Sequence, residues 1–339
     1  MTPAVRSSAI ALAALALLPA TASAATVTVT GDDGNPLAIN SSAATAIRNM
    51  DVQYAVTFGS ADAAYHKTTV VGPDGAAASS GSSCYPKSAI TDVSRYVDYR
   101  GNGDYAVVVQ TFTNSACTTG AKEARFLFSI NAGTSITPPG GIVLTRQPNS
   151  FSTITHRVPV ALNPGAVAYE VRYARGGVIG PDGAISGPST DAFLDRNTGL
   201  ADARFTEPGQ YVMVARMKSG DYYSPWSAPI SFTVKAPFDL AYVGFPDPDG
   251  PSYKLRGTLR DAFARGGRVT VYYAKGRKGG KFRRLGRSSK INGKKAFTLR
   301  FTLRKPGVYR LQYRFKGSSL VVGGQVTEAI RIRRTIRFG

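Results

Sequence analysis

Three stretches of similar sequence recur along the chain, each a glycine turn that leads through a tyrosine into a largely apolar run. They are Gly103-Asp104-Tyr105 before Ala-Val-Val-Val-Gln, Pro208-Gly209-Gln210-Tyr211 before Val-Met-Val-Ala-Arg, and Pro306-Gly307-Val308-Tyr309 before Arg-Leu-Gln-Tyr-Arg-Phe. Such a turn reverses the chain, and the tyrosine then enters a strand with its ring buried and its hydroxyl able to bond the backbone of the turn. The three tyrosines lie 106 and 98 residues apart, a spacing that predicts one β-sandwich per interval.

The composition agrees with a chain of β-sandwiches. Its 339 residues suit two or three domains, and a hydrophobic content of 43% is normal for packed domains. The 36 glycines and 20 prolines favour many short strands joined by tight turns. We predict domains at residues 25–133, 141–235 and 236–339, with a stiff linker at Thr134–Gly141 and a short hinge at Ala236-Pro237.

The three recurring stretches resemble the tyrosine corner of immunoglobulin-like and fibronectin type III-like domains. In the middle domain, Val167–Tyr173, Tyr211–Met217 and Ser224–Val234 resemble the C, F and G strands of a fibronectin type III module, but the B-strand tryptophan of that family is missing. The last domain resembles the immunoglobulin-like repeats common in secreted bacterial proteins, with matching pieces at 253–259, 268–273, 297–303 and 306–309. The resemblance implies an all-β fold of tandem immunoglobulin-like (Greek-key) β-sandwich domains. It implies no activity, because such modules carry unrelated functions.

Residues 1–24 have the pattern of a signal peptide. Arg6 supplies a positive n-region, Ala9–Leu18 an apolar core, and Ala22-Ser23-Ala24 a small-residue cleavage site. An apolar core of about 10 residues falls short of the ~20 that span a bilayer, and no second apolar stretch follows. We therefore expect a mature chain that begins at Ala25, is secreted through a bacterial Sec-type pathway, and has no transmembrane segment after leader cleavage.

Export predicts a disulfide between the chain's two cysteines, Cys84 and Cys117. Closing the loop of about 33 residues would stabilise its domain by roughly 3–4 kcal/mol. The alternative is a catalytic thiol, which would need a base. The two histidines, His66 and His156, lie in strand-like runs and are interpreted as surface residues of strands.

The sequence predicts no enzyme activity, no catalytic residue and no cofactor. It lacks the spacing of a zinc site, a phosphate-binding glycine loop and a recognisable pair of catalytic carboxylates. The acidic stretches Asp32–Asn35, Gly72–Gly75 and Gly180–Gly183 bring together oxygen ligands that suit Ca²⁺, and they also have the composition of β-turns. The turn interpretation suffices for Gly72–Gly75 and Gly180–Gly183. For Asp247 and Asp249, calcium is kept as an alternative, because neighbouring carboxylates suit Ca²⁺.

The net charge of +21 is concentrated at one end of the chain. Residues 25–140 contain 7 basic and 9 acidic side chains, residues 141–235 contain 9 and 7, and residues 236–339 contain 25 and 5. Strand alternation predicts a rib of outward arginines across one sheet, and the hairpin 275–284 adds a flexible basic cluster. The predicted anion-binding residues are Arg283, Arg284, Arg300, Arg304, Arg310, Arg314, Arg331 and Arg333.

A module with a net charge of +20 repels itself, so we expect it to bind an anionic cell-envelope polymer or polysaccharide. The alternative is a solvated face that keeps the domain soluble and discourages strand-to-strand aggregation. Nucleic acid is not expected as the cognate partner, because the compartment is wrong and no exposed aromatic ladder is evident.

The chain is therefore interpreted as a secreted, non-enzymatic binding or structural protein that adheres to the cell envelope. A passive structural spacer is one alternative. A carbohydrate-binding protein, with its site on the aromatic residues Tyr222, Tyr223 and Trp226, is another. The sequence predicts no oligomeric state.

Overall fold

The computed structural model describes residues 25–59, 63–79, 83–86, 92–148, 150–244, 253–260, 262–276, 279–301 and 306–332. Within these ranges the chain is all-β, and the other regular element is a 3₁₀ turn at Ala262–Ala264. None of these residues forms a helix long and apolar enough to cross a membrane. The predicted fold class is thereby confirmed. The signal peptide lies outside the described residues.

The chain divides into two compact units. The first contains the described residues up to Ala132 together with Asn163–Val167 and Ser219–Ser224. The second contains Gly133–Leu162, Ala168–Lys218 and the residues from Pro225 onward. The three domain boundaries predicted above are not tested by this division and stay predictions.

The strands of the first unit before residue 133 form two sheets, which we call the first sandwich. Their bounds are β1 Thr26–Thr30, β2 Pro36–Ile39, β3 Thr45–Ile47, β4 Val52–Thr57, β5 Tyr65–Val71, β6 Tyr85–Pro86, β7 Asp92–Val97, β8 Gly103–Phe112 and β9 Lys122–Ile130. One sheet has the order β2-β1-β4-β7 and the other β3-β9-β8-β5-β6. β3 runs parallel to β9, and the other pairs are antiparallel. This is a Greek-key, immunoglobulin-like topology.

Alternating side chains fill the first sandwich from both sheets. Tyr54 is fully buried on β4, and Tyr105 on β8 stacks on Phe128 of β9 with ring centroids 5.3 Å apart. The predicted disulfide is present between Cys84 and Cys117, and it joins the β8–β9 loop to the residue before β6.

The middle sandwich is built on one continuous sheet that folds around its core, with the order β10-β19-β17-β12-β15-β16-β11, and β13 pairs with β14 in a separate two-stranded sheet. β15 pairs with both β12 and β16 and so carries the sheet from one side of the core to the other. The predicted neighbours C, F and G are β12, β17 and β19, and this pairing is confirmed. The bounds are β10 Ile142–Val143, β11 Ile154–Pro159, β12 Ala168–Arg175, β13 Val178–Ile179, β14 Ile185–Ser186, β15 Thr190–Asp195, β16 Leu200–Phe205, β17 Gly209–Ser219, β18 Tyr222–Tyr223 and β19 Ile230–Lys235.

The stretch predicted as a linker is bonded to the middle sandwich. The Thr134 hydroxyl donates to the carbonyl of Ala161 at 2.6 Å, and the Thr137 amide donates to that of Pro159 at 2.9 Å. Its polar residues therefore extend the pairing beyond the end of β11 and do not form a separate spacer.

The third sandwich consists of a three-stranded sheet, β20-β21-β24, and a four-stranded sheet, β23-β22-β25-β26. The bounds are β20 Leu240–Gly244, β21 Tyr253–Leu259, β22 Val269–Lys275, β23 Arg283–Arg287, β24 Ala296–Phe301, β25 Gly307–Phe315 and β26 Gly324–Ile332. The described residues predicted to face the core are buried, which confirms the alternation. They are Phe297, Leu299, Phe301, Tyr309, Leu311, Tyr313 and Phe315.

Two of the predicted tyrosine corners are formed. The Tyr105 hydroxyl donates to the carbonyl of Gly101 and accepts from the amide of Arg100, each at 2.8 Å. The Tyr211 hydroxyl donates to the carbonyl of Glu207 at 2.8 Å. Tyr309 has the same buried ring, and residue 305, which corresponds to Gly101 and Glu207 in the other two corners, lies outside the described residues.

Within the second unit, the middle and third sandwiches share several contacts at the predicted hinge. Arg260 Nη1 donates to the carbonyl of Pro148 at 3.2 Å, and the ring centroids of Phe151 and Phe263 lie 6.3 Å apart. The Asp239 carboxylate contacts Arg260 at 2.9 Å and Arg146 at 3.7 Å. These contacts restrict bending at Ala236-Pro237.

Candidate anion-binding surfaces of the third sandwich

The outward side of the four-stranded sheet, which we call the four-strand face, carries cations on three of its strands. Thr270 on β22 pairs with Arg287 on one side and Arg314 on the other, so these three residues form one row across β23, β22 and β25. Neighbouring strands lie about 4.8 Å apart, which places Arg287 and Arg314 about 10 Å apart along that row. Arg284 lies opposite Tyr272 in the next row, and Arg331 opposite Val308 at the end of β26.

Aromatic rings lie beneath two guanidinium groups of the four-strand face, those of Arg314 and Arg310, and fix their positions. Arg314 lies over Tyr272 with 4.5 Å between its Cζ and the ring centroid, and its Nε donates to Gln312 Oε1 at 2.6 Å. Arg310 lies over Phe282 at 4.9 Å. A guanidinium stacked on a ring loses less side-chain entropy when its N–H groups bind an anion.

Arg310 differs from the expectation that it points freely to solvent. Its Nη2 donates to the carbonyl of Gly279 in the β22–β23 hairpin, and the residue is half-buried. The cause is the return of the hairpin over β25, which brings both the glycine carbonyl and the Phe282 ring onto Arg310. This arginine therefore contacts the described residues Gly279 and Phe282 of the hairpin that the sequence predicted to be a flexible cluster.

Arg300 is also placed differently, because β24 pairs with β21 in the other sheet. The chain crosses between the sheets after β24, so Arg300 cannot continue the row of arginines on β25. On the outward side of the three-stranded sheet, the three-strand face, Arg300 lies directly opposite Lys254 and next to Arg256. The basic residues thus occupy two opposite faces. The last two strands pair and carry Arg310, Arg314 and Arg331 on the four-strand face, whereas Arg300 does not belong to that rib.

Sequence reasoning missed three of the cations on these faces, Lys254, Arg256 and Arg287. The first two alternate with Leu255 and Gly257, and this alternation was a usable signal. For Arg287 the signal is weaker, because a register shift between Val271 and Tyr272 interrupts the pairing of β22 with β23.

Two carboxylates occur in the described part of the third sandwich, and neither lies among the cations of these faces. Asp239 is bonded to two arginines at the hinge. Glu328 lies opposite the buried Leu311, on the inward side of β26, where burial raises the pKa of its carboxyl above the usual range. The outward cations of both faces therefore lack a neighbouring carboxylate within the described ranges.

The remaining predicted site residues fall outside these two faces. Arg283 is exposed on the edge strand β23, opposite Tyr273, whose ring packs against the core. Arg304 and Arg333 lie outside the described residues, as do the calcium candidates Asp247 and Asp249.

The acidic turns of the other sandwiches use their carboxylates internally. In all three, a glycine amide closes the turn onto a carbonyl three residues earlier, as from Gly75 to Gly72 at 3.0 Å. Asp32 accepts from the amides of Arg48 and Asn49, and Asp182 accepts from the amide of Ala184. Arg100 bonds Asp74 through Nε and Nη2 and lowers the pKa of that carboxyl to about 2. The turn interpretation is confirmed for these residues.

The aromatic residues of the carbohydrate alternative are half-buried. Arg172 and Arg216 lie over the Trp226 ring at 5.4 and 4.5 Å, and Arg100 lies over the Tyr222 ring at 5.0 Å. Arginines thus lie over two of the three candidate rings, those of Tyr222 and Trp226.

Neither histidine has the surroundings of a catalytic base. His66 is 1% exposed, its ring centroid lies 4.0 Å from that of Phe58, and it faces the core of the first sandwich. The surface interpretation of His66 is therefore wrong, since the alternation of β5 turns this residue inward with Thr68 and Val70. His156 is half-buried on β11, opposite Ala203.

The middle sandwich carries an open cleft of about 400 Å³ between the β13–β14 hairpin and the sheet. Glycine, aliphatic and uncharged polar side chains form its walls, so it offers no charge to a ligand. The lining residues are Gly176, Gly177, Ile179, Gln210, Tyr211, Val212, Pro229 and Ser231.

No protein-family model and no curated protein matches this sequence. Among solved structures, domains A168–A170 of titin are similar at 12% identity with a TM-score of 0.31, covering 86% of this chain and 97% of that one. Bovine butyrophilin is similar at 13% identity with a TM-score of 0.33, covering 59% of this chain and 99% of that one. The immunoglobulin-like assignment rests on the sheet topology described above.

Proposed function

We propose that this protein is a secreted, non-enzymatic binding protein of the cell envelope whose third sandwich holds a linear anionic polymer. The observation that carries the proposal is the four-strand face, where Arg287 and Arg314 share one row and Arg284 lies in the next. The disulfide between Cys84 and Cys117 is consistent with an extracellular protein.

The chemistry of binding follows from the stacked guanidinium groups. Arginine presents a planar fork of N–H donors that matches the paired oxygens of sulfate, phosphate and carboxylate groups. The Tyr272 ring lies under the guanidinium group of Arg314 and holds it in place, so an anion meets a donor that is already oriented. Because each contact also releases counterions, affinity should fall as a power of the salt concentration.

The test is the binding of the full mature chain to dextran sulfate, with neutral dextran as the matched uncharged polymer. The wild type should bind dextran sulfate only, with an affinity that nearly vanishes at about 1 M salt, where the Debye length is about 3 Å. In the triple variant Arg284→Gln, Arg287→Gln and Arg314→Gln, the affinity should fall less steeply with salt. The slope of log affinity against log salt should become about 2 to 3 less negative.

A control variant removes the same charge from exposed positions elsewhere, with Arg48→Gln, Lys122→Gln and Arg204→Gln. It should keep the wild-type slope if the four-strand face is the site. An equal loss in the control would assign binding to net charge alone. Binding that survives 1 M salt unchanged would overturn the electrostatic mechanism and favour a shaped carbohydrate site.

A further inference from the structure

The cations of the third sandwich lie on two faces that point in opposite directions. Arg287 and Arg314 are on the outward side of β23-β22-β25-β26, and Lys254, Arg256 and Arg300 are on the outward side of β20-β21-β24. One core lies between them, because Leu255 and Phe297 from one sheet and Leu311 and Tyr313 from the other belong to the same buried cluster.

The two faces are far enough apart to act as separate sites. Packed sheets lie about 10 Å apart, and outward side chains extend further on each side. This separation exceeds the Debye length of about 8 Å at physiological ionic strength, so an anion on one face scarcely screens the other. A polymer that neutralises the four-strand face therefore leaves the charge of the three-strand face uncompensated.

The three-strand face has its own reason to bind an anion. Lys254 and Arg300 are directly opposite in the β21–β24 register, and like charges in that position destabilise a sheet. Arg256 and Arg300 are exposed. Tyr242, 63% exposed, extends over Gly244, the residue opposite Arg256, and adds an aromatic surface beside the cations. With no carboxylate beside them in the described residues, a bound polyanion relieves this repulsion.

We propose that the third sandwich bridges two strands of anionic polymer, one on each face, so that a single chain cross-links the polymer it binds. This inference rests on the proposed function and adds to it a second, independent site. The occupant of both faces is the same class of molecule, a linear polyanion, because both faces present only cations and neutral groups among their described residues.

The experiment mixes full mature protein with long-chain dextran sulfate carrying a donor dye and the same polymer carrying an acceptor dye, at polymer excess. Wild-type protein should bring the two polymers together and produce energy transfer. Removing either face, by Arg284→Gln, Arg287→Gln and Arg314→Gln or by Lys254→Gln, Arg256→Gln and Arg300→Gln, should abolish the transfer while each variant still binds the polymer. The control with Arg48→Gln, Lys122→Gln and Arg204→Gln has the same net charge and should bridge like the wild type.

A charge-conserving variant, Lys254→Arg, Arg256→Lys and Arg300→Lys, should restore bridging and so separates loss of charge from loss of fold. Wild-type protein that binds without energy transfer would overturn the bridging proposal and leave the proposed function standing. Energy transfer that persists in both single-face variants would also overturn it, because bridging would then arise from association between protein copies. Wild-type protein that fails to bind dextran sulfate would overturn the proposed function itself.

Discussion

Glu328 lies among buried side chains of the third sandwich and has no cation beside it among the described residues. Asp239, the other described carboxylate of this sandwich, contacts two arginines at the hinge. The register partner of Glu328, Leu311, is fully buried, and the buried Tyr313 lies two residues further along β25. The Tyr313 hydroxyl has no hydrogen-bond partner among the described residues, and burial raises its pKa. A carboxylate in these surroundings loses hydration and gains no paired cation, so its ionised form opposes folding.

The stability of the third sandwich should therefore depend on the protonation of Glu328. Its pKa in the folded protein is raised above the ordinary value of 4.5. At pH values between 4.5 and this raised pKa, the folded state binds more protons than the unfolded state. The free energy of unfolding therefore falls as pH rises through this window. Glu328→Gln should raise the melting temperature at pH values near 7 and match the wild type below about pH 4. Calorimetry across this range checks the prediction, and a variant that melts lower than the wild type at pH 7 would contradict it.

The residues of the candidate site show what one sequence could and could not predict. Arg314 was placed correctly because alternation along β25 is regular. Arg310 sits at an equally outward position, yet the Gly279 carbonyl and the Phe282 ring cover it. That contact joins residues 31 positions apart and depends on how the hairpin folds back, which periodicity does not encode.

The Tyr211 side chain bonds the turn between β16 and β17. Tyr211 opens β17, buries its ring against Phe205 with centroids 5.0 Å apart, and returns its hydroxyl to the Glu207 carbonyl at 2.8 Å. The tyrosine thus links the end of one strand to the start of the next on the opposite side of the core. The same arrangement at Tyr105 explains why the motif was readable in the sequence: both the turn and the bond are local.

Substitutions at Tyr211 should separate ring packing from hydrogen bonding. Tyr211→Phe removes the bond to Glu207 and should lower the free energy of unfolding by about 1–2 kcal/mol. Tyr211→Ala also leaves a cavity beside Phe205 and should cost about 3–5 kcal/mol. Chemical denaturation followed by tryptophan fluorescence reports on this region, since Trp226 lies in the same sandwich. Equal effects of the two substitutions would mean that the ring contributes little and that the corner is held in another way.

Pairing between strands can be predicted where a resemblance or a strand order indicates it, and β25 and β26, the last two strands, do pair. The sequence does not show where the chain changes sheets. β12, β17 and β19 were recognised from their resemblance to fibronectin type III strands and do pair. β24 and β25 are consecutive, but one joins β21 and the other β22. The alternation of side chains shows which side of a strand faces out. It does not show to which sheet the strand belongs, because that depends on where the chain crosses between sheets.

Along the whole chain, the excess positive charge is concentrated in the third sandwich. Residues 25–235 contain 16 basic and 16 acidic side chains, whereas residues 236–339 carry a net charge of +20. The neutral part pairs its charges locally, as in Arg100 with Asp74 and Arg216 with Glu170. The described part of the third sandwich contains two carboxylates and many cations. Most of its positive charge is therefore available to an external anion.

This separation predicts how the protein behaves in the cells that make it. If the leader is removed and the third sandwich holds an anionic envelope polymer, the protein with an N-terminus at Ala25 should sediment with intact envelopes. About 1 M salt should release it, because the Debye length of about 3 Å then screens exposed contacts. Non-ionic detergent at low salt should leave it bound, since detergent disperses lipids and does not screen charge.

A variant without both basic faces supplies the decisive comparison. Replacing Lys254, Arg256, Arg284, Arg287, Arg300 and Arg314 by glutamine keeps the core and both tyrosine corners described above. This variant should appear in the medium, while the control with Arg48→Gln, Lys122→Gln and Arg204→Gln should stay with the envelope. Release of the wild type by detergent at low salt would contradict an electrostatic attachment. Retention of the six-residue variant would mean that these six cations do not make the attachment, because they would be gone while the rest of the chain is unchanged.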